Sequence, residues 1–439
     1  MWRFDVLLYV ENVSVPKKMR GRTPRWLWVG AGSGALLALA ALSAALAWTS
    51  IFDSALANQL ALTPNSRSFR TWVAPSVPLY FDIYFFNWTN SEKFPEEKPN
   101  LVQLGPYRFL EKRKHVNVTW HDNNGTVAYR TQRSWYFDES SSNGTLQDNI
   151  TTLNGIAARN NSLDTDGYME VTTGRAAGTL PGQIMRWNYE DHIPYYEGEC
   201  AQLAGSAGEF MPRNLTEDSL LPMFVPDLCR TVYMEYVDTG EQDGLTFNKY
   251  ALTQRSFDNS STSPSNTCFC NGECAWSGVM NVSACRFGSP AFMTLPHFLH
   301  GDPQLRELVT GMQPDPDAHS FYFAVEPKLG VPLDVAARFQ LNLYLEPSEN
   351  IGLYEDVPRM LFPIFWVEQR VKVEDDVIAE LRLVRAIFDW GGTVCACAAL
   401  VFAILVTMAT CWARKPHTIK KESIFEKPKD EAELKLNPI

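Results

Sequence analysis

The sequence predicts an α+β protein in which a β-rich antiparallel ectodomain is anchored by two transmembrane helices, one near each end of the chain. Three observations lead to this prediction. Two uncharged apolar segments flank a long central segment, and that central segment contains six cysteines and nine N-glycosylation triplets. Within it, apolar and polar residues alternate with the period of a β-strand, while helical periodicity is weak.

The two apolar segments are residues 26–48 and 390–413. As helices, each covers roughly 33 Å, enough for a hydrocarbon core of about 30 Å. Basic residues lie on the outer side of both segments: Lys17, Lys18, Arg20, Arg22 and Arg25 before the first, and Arg414, Lys415, Lys420 and Lys421 after the second. The positive-inside rule therefore predicts cytoplasmic termini, 1–25 and 414–439, and an extracellular or luminal domain over 49–389.

A cleaved signal peptide is the alternative for the first apolar segment. Residues 54–57, "SALA", resemble a cleavage site, but the apolar stretch is longer than a signal peptide uses. An uncleaved anchor is the favoured interpretation. Met19 is a second candidate start, because residues 1–18 show no interpretable pattern.

The N-glycosylation triplets cluster between the two segments, as expected of a luminal surface. The predicted sites are Asn87, Asn117, Asn124, Asn143, Asn149, Asn160, Asn214, Asn259 and Asn281. Asn12 also fits the triplet, but it lies on the predicted cytoplasmic side, so we expect it to remain unmodified.

Six cysteines lie in the predicted luminal segment: Cys200, Cys229, Cys268, Cys270, Cys274 and Cys285. Their density alone fits a metal site, a redox motif or disulfides. The oxidising compartment and the even number favour disulfides, and the paired C-x-x-C spacing of a zinc site is missing. We therefore predict disulfides, with no metal and no cofactor.

The second apolar segment contains Cys395 and Cys397, and Cys411 lies at its cytoplasmic end. S-acylation is predicted for Cys411, whereas small apolar packing is an equal alternative for the other two. In the first segment, Gly30 and Gly34 form a G-x-x-x-G motif that lets another helix approach closely. The partner is either the second segment or a second copy of the chain, so a homo-oligomer is one expectation.

The formal net charge of −11 excludes a nucleic-acid partner, since basic residues cluster only beside the apolar segments. No nucleophile elbow, zinc-protease, P-loop or dinucleotide motif occurs. His297 and His300 form the nearest approach to a catalytic pair, and we interpret them as structural. Asp315 and Asp317 lie in a proline-containing turn. The sequence thus proposes no reaction and no catalytic residue.

Four segments predict strands: 77–86, 230–239, 339–346 and 360–367. In "FQLNLYLE" (339–346), Phe339 and the leucines share one face, and Gln340 and Asn342 lie on the other. Residues 375–388, with acidic residues at the start, predict a helix that continues into the second apolar segment.

Several motifs resemble the class B scavenger receptor family, which includes the fatty acid translocase, a lysosomal integral membrane protein, and the insect croquemort and sensory neuron membrane proteins. They are "GPYRF" at 105–109, "CFC" at 268–270 with its later cysteines, "GSPAFMTLPHFL" at 288–299 and "VEPKLGVPLDVAARFQLNLYLEPSE" at 325–349. The resemblance covers most of the chain between the apolar segments.

The resemblance implies an antiparallel β core pierced by an apolar tunnel. It also implies the disulfide pairs Cys200–Cys268, Cys229–Cys285 and Cys270–Cys274. The chain departs from the family pattern after "NITTLN" (149–154), where it passes directly to residue 155. The helical block that builds the family's apical head is absent at this point, so we expect ligand capture to be altered.

We therefore expect a plasma-membrane receptor that binds fatty acids, sterols, phospholipids or lipoproteins and passes lipid toward the bilayer. The alternative is a sorting, adhesion or phagocytic receptor for a protein ligand. The cytoplasmic tail contains no tyrosine or acidic dileucine sorting motif, which favours the plasma membrane over a lysosomal or endosomal membrane. The ligand-binding residues are not identified by the sequence.

Overall fold

The computed structural model describes residues 25–75, 78–153, 164–176, 178–261, 263–270, 272, 274–349 and 355–414. The chain divides into an ectodomain unit, Ser50–Phe388, and a terminal unit made of Met1–Thr49 and Asp389–Ile439. These boundaries lie beside the predicted ectodomain limits. The side of a membrane that each part faces stays a prediction.

Six α-helices occur in the described residues. They are α1 (Arg25–Leu46), α2 (Trp48–Leu60), α3 (Arg67–Val73), α4 (Gln304–Glu307), α5 (Pro316–His319) and α6 (Asp375–Arg414). The sequence did not predict α2 or α3. Ser66 caps α3, because its hydroxyl oxygen accepts a hydrogen bond from the backbone N–H of Phe69 at 3.0 Å.

Two helical stretches, Trp28–Leu46 and Asp375–Trp412, are long and apolar enough to cross a membrane. The second belongs to α6, a single helix of 40 residues, as the sequence predicted. Asp375 and Asp376 lie in its first turn, where negative charge complements the positive end of the helix dipole.

Glycine allows a close helix contact within the terminal unit. A side chain at Gly34 would place its Cβ 2.6 Å from Cγ2 of Val406, so α1 approaches the second apolar helix of the same chain at this point. Gly30 has no atom within 4 Å of its corresponding Cβ position. Of the two partners considered for the G-x-x-x-G motif, the structure shows the second apolar helix, at Gly34.

The ectodomain unit is dominated by one antiparallel sheet with a nearly closed, barrel-like form. Its strands, in the described residues, are β1 (Leu79–Trp88), β2 (Leu101–His121), β3 (Thr126–Phe137), β4 (Asp164–Thr172), β5 (Ile184–Trp187), β6 (Leu221–Val225), β7 (Arg230–Gln242), β8 (Leu245–Ala251), β9 (Met280–Asn281), β10 (Ala291–Thr294), β11 (Tyr322–Glu326), β12 (Val331–Leu345) and β13 (Met360–Lys372). All four strand segments predicted from the sequence are strands in the structure.

The strand order along the sheet is β5-β4-β3-β2-β1-β13-β12-β11-β8-β7-β6. β1 and β13, the first and last strands in the sequence, are therefore neighbours in the sheet, with Tyr84 opposite Trp366 in an antiparallel register. One edge of β12 pairs with β13, whereas the other edge is shared by β11 and β10. Both edges of β12 are therefore hydrogen-bonded to neighbouring strands along most of its length.

The buried apolar side chains of the ectodomain form three large clusters. The central cluster is built around Tyr250, Phe321, Phe323, Val325 and Phe339. A second cluster contains the disulfide-bonded Cys200 and Cys229, and a third contains Phe86, Trp88, Phe362 and Trp366. Burial of large aromatic side chains on this scale supplies the main driving force for closing the sheet.

Candidate functional site

Three disulfides join the six cysteines of the ectodomain unit, and they are the pairs that the resemblance implied: Cys200–Cys268, Cys229–Cys285 and Cys270–Cys274. The first two close long loops, with sequence separations of 68 and 56, and the third closes a short one with a separation of 4. Cys229 immediately precedes β7 and has a positive φ of 52°, which turns the chain sharply into the strand.

The predicted glycosylation sites differ in exposure. Asn117, Asn124, Asn143, Asn149 and Asn214 are exposed, whereas Asn87, Asn259 and Asn281 are partly buried. The Nδ2 amide of Asn259 donates a hydrogen bond to the Ala275 carbonyl at 2.9 Å, so the atom that would carry a glycan is engaged. Asn160 lies outside the described residues.

The three remaining cysteines are free thiols in α6. Cys411 and Cys397 are exposed, and Cys395 is partly buried. The exposure of Cys411 at the end of the apolar helix is compatible with its predicted S-acylation.

The polar side chains of the strand 339–346 form part of a buried hydrogen-bonded network. From the alternation, the sequence predicted that these side chains share one face, but not that this face is buried. Gln340, Asn342 and Thr294 are fully buried. Gln340 accepts from the backbone N–H of His297 at 2.7 Å, and its amide donates to the Asn342 side chain at 2.8 Å. Asn342 in turn donates to Thr294 at 3.1 Å. β12 is thus buried on both faces.

His297 anchors this network to the neighbouring strands. Its Nδ1 accepts a hydrogen bond from the backbone N–H of Gln313 at 3.1 Å, which leaves the proton on Nε2. Nε2 donates to Oε1 of Gln103 at 2.7 Å, and the same oxygen accepts from Nε1 of Trp366 at 2.7 Å. Both ring nitrogens of His297 are therefore occupied in the neutral form of the ring.

His319 stacks on His297, with ring centroids 4.3 Å apart. Its Nδ1 accepts from the backbone N–H of Asp315 at 2.9 Å. Burial lowers the pKa of each histidine to about 4. At His297 the neighbouring His319 adds to this lowering, whereas at His319 the Asp315 carboxylate opposes it and Arg338 adds to it. Both rings are neutral at physiological pH.

The geometry supports the structural interpretation of His297. General acid–base catalysis needs a group that titrates near neutral pH and has a ring nitrogen free to exchange a proton. The pKa of His297 is lowered to about 4, and both of its ring nitrogens are hydrogen-bonded. His300 is separate from the network, and burial lowers its pKa as well. Among the described residues, no group of three or more histidine, cysteine or acidic side chains has the geometry to hold a metal ion.

Two larger cavities of the ectodomain differ in their linings, which are polar in the first and mixed in the second. One, of about 720 Å³, is lined by Asn90, Glu92, Lys93, Glu97 and neighbouring polar residues. The other, of about 290 Å³, lies beside the Cys200–Cys268 disulfide and includes Arg230, Thr231 and Phe269 in its lining. The resemblance implied an apolar tunnel, and neither of these two cavities has a wholly apolar lining.

Sequence comparison places the chain in a known group. A family model described as the CD36 family matches residues 32–160 and 155–413, which together include most of the chain. The chain belongs to the CD36 family. The CD36 family model matches as two segments that meet at 155–160, where the sequence departs from the family pattern. This junction lies outside the described residues.

Several curated proteins are similar to this CD36-family chain. Protein peste of Drosophila melanogaster is 34% identical, with 83% of this chain and 78% of the relative covered. Scavenger receptor class B member 1 of Rattus norvegicus is 30% identical, with coverages of 80% and 82%. Lysosome membrane protein 2 of Homo sapiens is 24% identical, with coverages of 75% and 82%. The relatives thus bear the names of both receptor and lysosomal proteins.

We predict that a disulfide closing a long loop contributes more to stability than one closing a short loop. In the loop-entropy estimate, the Cys229–Cys285 loop contributes about 4 kcal/mol and the Cys270–Cys274 loop about 2 kcal/mol. Replacing both cysteines of the first pair by alanine should lower the melting temperature of the purified chain more than replacing both of the second pair. Equal melting temperatures for the two double variants would contradict the assignment.

We also predict that acidification destabilises the ectodomain through His297 and His319. Their folded pKa lies below the unfolded value of about 6.5, so unfolding takes up protons and the stability is lost as the pH falls from about 6.5 toward 4. The loss between pH 7 and pH 5 should be on the order of 2–4 kcal/mol for the two rings together.

Melting temperatures measured across this pH range test the linkage. His297→Gln should flatten the dependence, whereas His192→Gln, which changes an exposed histidine beside Asp191, should leave it as it is. Parallel curves for wild type and His297→Gln would show that other groups control the acid response.

Proposed function

We propose that the chain is a cell-surface scavenger receptor that binds lipids or lipoproteins and passes lipid toward the membrane. Membership of the CD36 family is the observation that carries this proposal, together with the similarity to Scavenger receptor class B member 1. The chain acts by binding rather than by catalysis, in keeping with the receptor name of that relative. Fatty acids, sterols and phospholipids are the lipid classes we propose as ligands.

Desolvation supplies the driving force in this proposal. Each CH₂ group that leaves water contributes about 0.8 kcal/mol, so a long acyl chain moves into an apolar interior without a chemical step. The central cluster offers the apolar surface, and its aromatic side chains are almost fully buried: Phe321 at 1%, Phe323 at 4% and Phe339 at 7% exposure. A lipid that enters here displaces these rings, so a tunnel forms as the lipid enters.

We propose that the protein lies in the plasma membrane with both termini in the cytoplasm. The two apolar helices and the luminal disulfides support this topology. The similarity to Lysosome membrane protein 2 keeps the lysosomal membrane as the second location. An epitope tag at either terminus should be stained only after the cells are permeabilised, and staining of intact cells would contradict the topology.

Modification and assembly follow the same topology. We propose S-acylation of Cys411 and glycans on the exposed asparagines of the predicted triplets, Asn117, Asn124, Asn143, Asn149 and Asn214. A homo-oligomer through the G-x-x-x-G motif would form on the Gly30 side, because Gly34 already contacts Val406.

We also propose that the chain lacks the apical helical block of its family. The two-segment family match supports this, as does the alignment with Protein peste, which extends over 439 positions yet includes 83% of this chain. The disulfides and twelve of the thirteen described strands lie well away from the junction, and β4 begins at Asp164, shortly after it. We infer that the sheet retains small lipids while capture of large particles is weakened.

Photo-crosslinking tests the lipid-binding proposal. The purified full-length protein is incubated with a diazirine-bearing fatty acid, irradiated and mapped by mass spectrometry. We expect cross-linked peptides from β11 and β12, which carry the central aromatic rings. Ala337→Trp, which adds volume against the central cluster, should lower this labelling, whereas Leu180→Trp at an exposed position serves as the matched control.

Cross-links confined to the two apolar helices would contradict the proposal, because the lipid would then be bound only as annular membrane lipid. Equal labelling of the Ala337→Trp and Leu180→Trp variants would also contradict it.

A further inference from the structure

Arg230 differs from the other buried arginine of the described residues. Arg230 and Arg338 are 7% and 4% exposed. Arg338 donates from Nη2 to the Glu368 carboxylate at 2.7 Å and from Nη1 to the Ser320 carbonyl at 2.9 Å. Arg230 has no ion pair with a described residue, and its buried Nε has no hydrogen-bond partner among them. A buried, unpaired charge is costly unless another group compensates it.

The surroundings of Arg230 hold its guanidinium group in place. Arg230 begins β7, directly after the disulfide-bonded Cys229. The guanidinium carbon lies 3.4 Å from the centroid of the Phe269 ring, which itself sits between Cys268 and Cys270. Tyr196 packs edge-on against the same ring, with centroids 5.0 Å apart. Stacking uses the face of the guanidinium and leaves the N–H groups at its edge available.

Arg230 also lines the cavity of about 290 Å³ described above. The hydroxyl groups of Ser263 and Ser265 line the same space. Thr231 and Ser256 line it as well, but their hydroxyls already donate to the carbonyls of Gln202 and Tyr233. Hydroxyls can act as donors beside a guanidinium, which suits an anion with more than two oxygens.

Two carboxylates also line the cavity, and neither compensates Arg230. Glu235 is paired with Arg255 at 3.4 Å and accepts from the hydroxyl of Thr253 at 2.6 Å. Glu199 is exposed, so water screens its charge. Burial lowers the pKa of Arg230 to about 10, so the group remains protonated at physiological pH. The cavity therefore contains one uncompensated buried positive charge.

We infer that Arg230 and the hydroxyls of Ser263 and Ser265 form a binding site for a phosphate group. The phosphate is either free or the monoester headgroup of a lipid. Its oxygens accept hydrogen bonds from the edge of the guanidinium and from the hydroxyls, and its charge offsets that of Arg230. The inference does not depend on the proposed lipid transfer, because the aromatic rings of Phe321, Phe323 and Phe339 do not line this cavity.

Binding to the full-length protein tests the site with two probes, inorganic phosphate and water-soluble dihexanoyl phosphatidic acid. We expect at least one probe to raise the melting temperature of the wild type. Arg230→Met should weaken its binding about ten- to a hundredfold, the range for loss of hydrogen bonds to a charged group. Arg175→Met, which removes an exposed arginine paired with Asp122 outside this cavity, should bind as the wild type does.

Stability without phosphate separates a binding role from a structural one. Arg230→Met removes an unpaired buried charge, so its melting temperature should equal or exceed that of the wild type. A lower melting temperature would assign Arg230 a structural role and overturn the site. Arg230→Lys keeps the charge but loses the planar fork, so it should bind with intermediate affinity.

The probes also distinguish the source of the phosphate. Binding of both probes identifies free phosphate as sufficient, and binding of phosphatidic acid alone identifies a lipid headgroup. If neither probe binds the wild type, the inference is wrong. Unchanged diazirine labelling of β11 and β12 in Arg230→Met would show that this result is independent of the proposed lipid binding.

Discussion

The antiparallel pairing of β1 with β13 is the constraint on which the rest of the ectodomain depends. It joins the first strand of the sheet to the last, and such a long loop costs considerable entropy to close. The disulfides lie within residues 200–285, so they do not hold β1 against β13. Side chains make this contact: Tyr84 stacks on Trp366 with ring centroids 3.8 Å apart, and Phe85 packs edge-on against Phe365 with centroids 5.9 Å apart. α6 begins shortly after β13.

Closing the sheet buries polar groups. Some of these groups are hydrogen-bonded to one another, whereas Arg230 is buried without an ion-pair partner among the described residues. Around His297, Gln340 and Asn342, the buried donors and acceptors find partners, which specifies the register of β12 against its neighbours. At Arg230, a buried positive charge faces a cavity without an anionic partner. The first arrangement belongs to a fixed interior and the second to a site prepared for a ligand.

Much of the fold could be predicted from the sequence, because apolar length and strand alternation are local signals. They located both long helices and four strands, including 339–346 and 360–367. The long hairpin of β2 and β3, the short α2 and the burial of Gln340 depend on neighbours distant in sequence. The disulfide partners came from family resemblance, since six cysteines allow many pairings. Arg230 carried no local signal: only the folded structure shows that it is buried without an ion pair to a described residue.

We propose that lipid leaves its carrier at this protein, while the carrier remains outside. Uptake of a lipoprotein labelled separately in its lipid and in its protein tests this transfer in cells that express the chain. We expect the lipid label to enter in excess of the protein label, compared with cells that lack the chain. Equal entry of the two labels would contradict it, because the whole particle would then be internalised as a protein ligand.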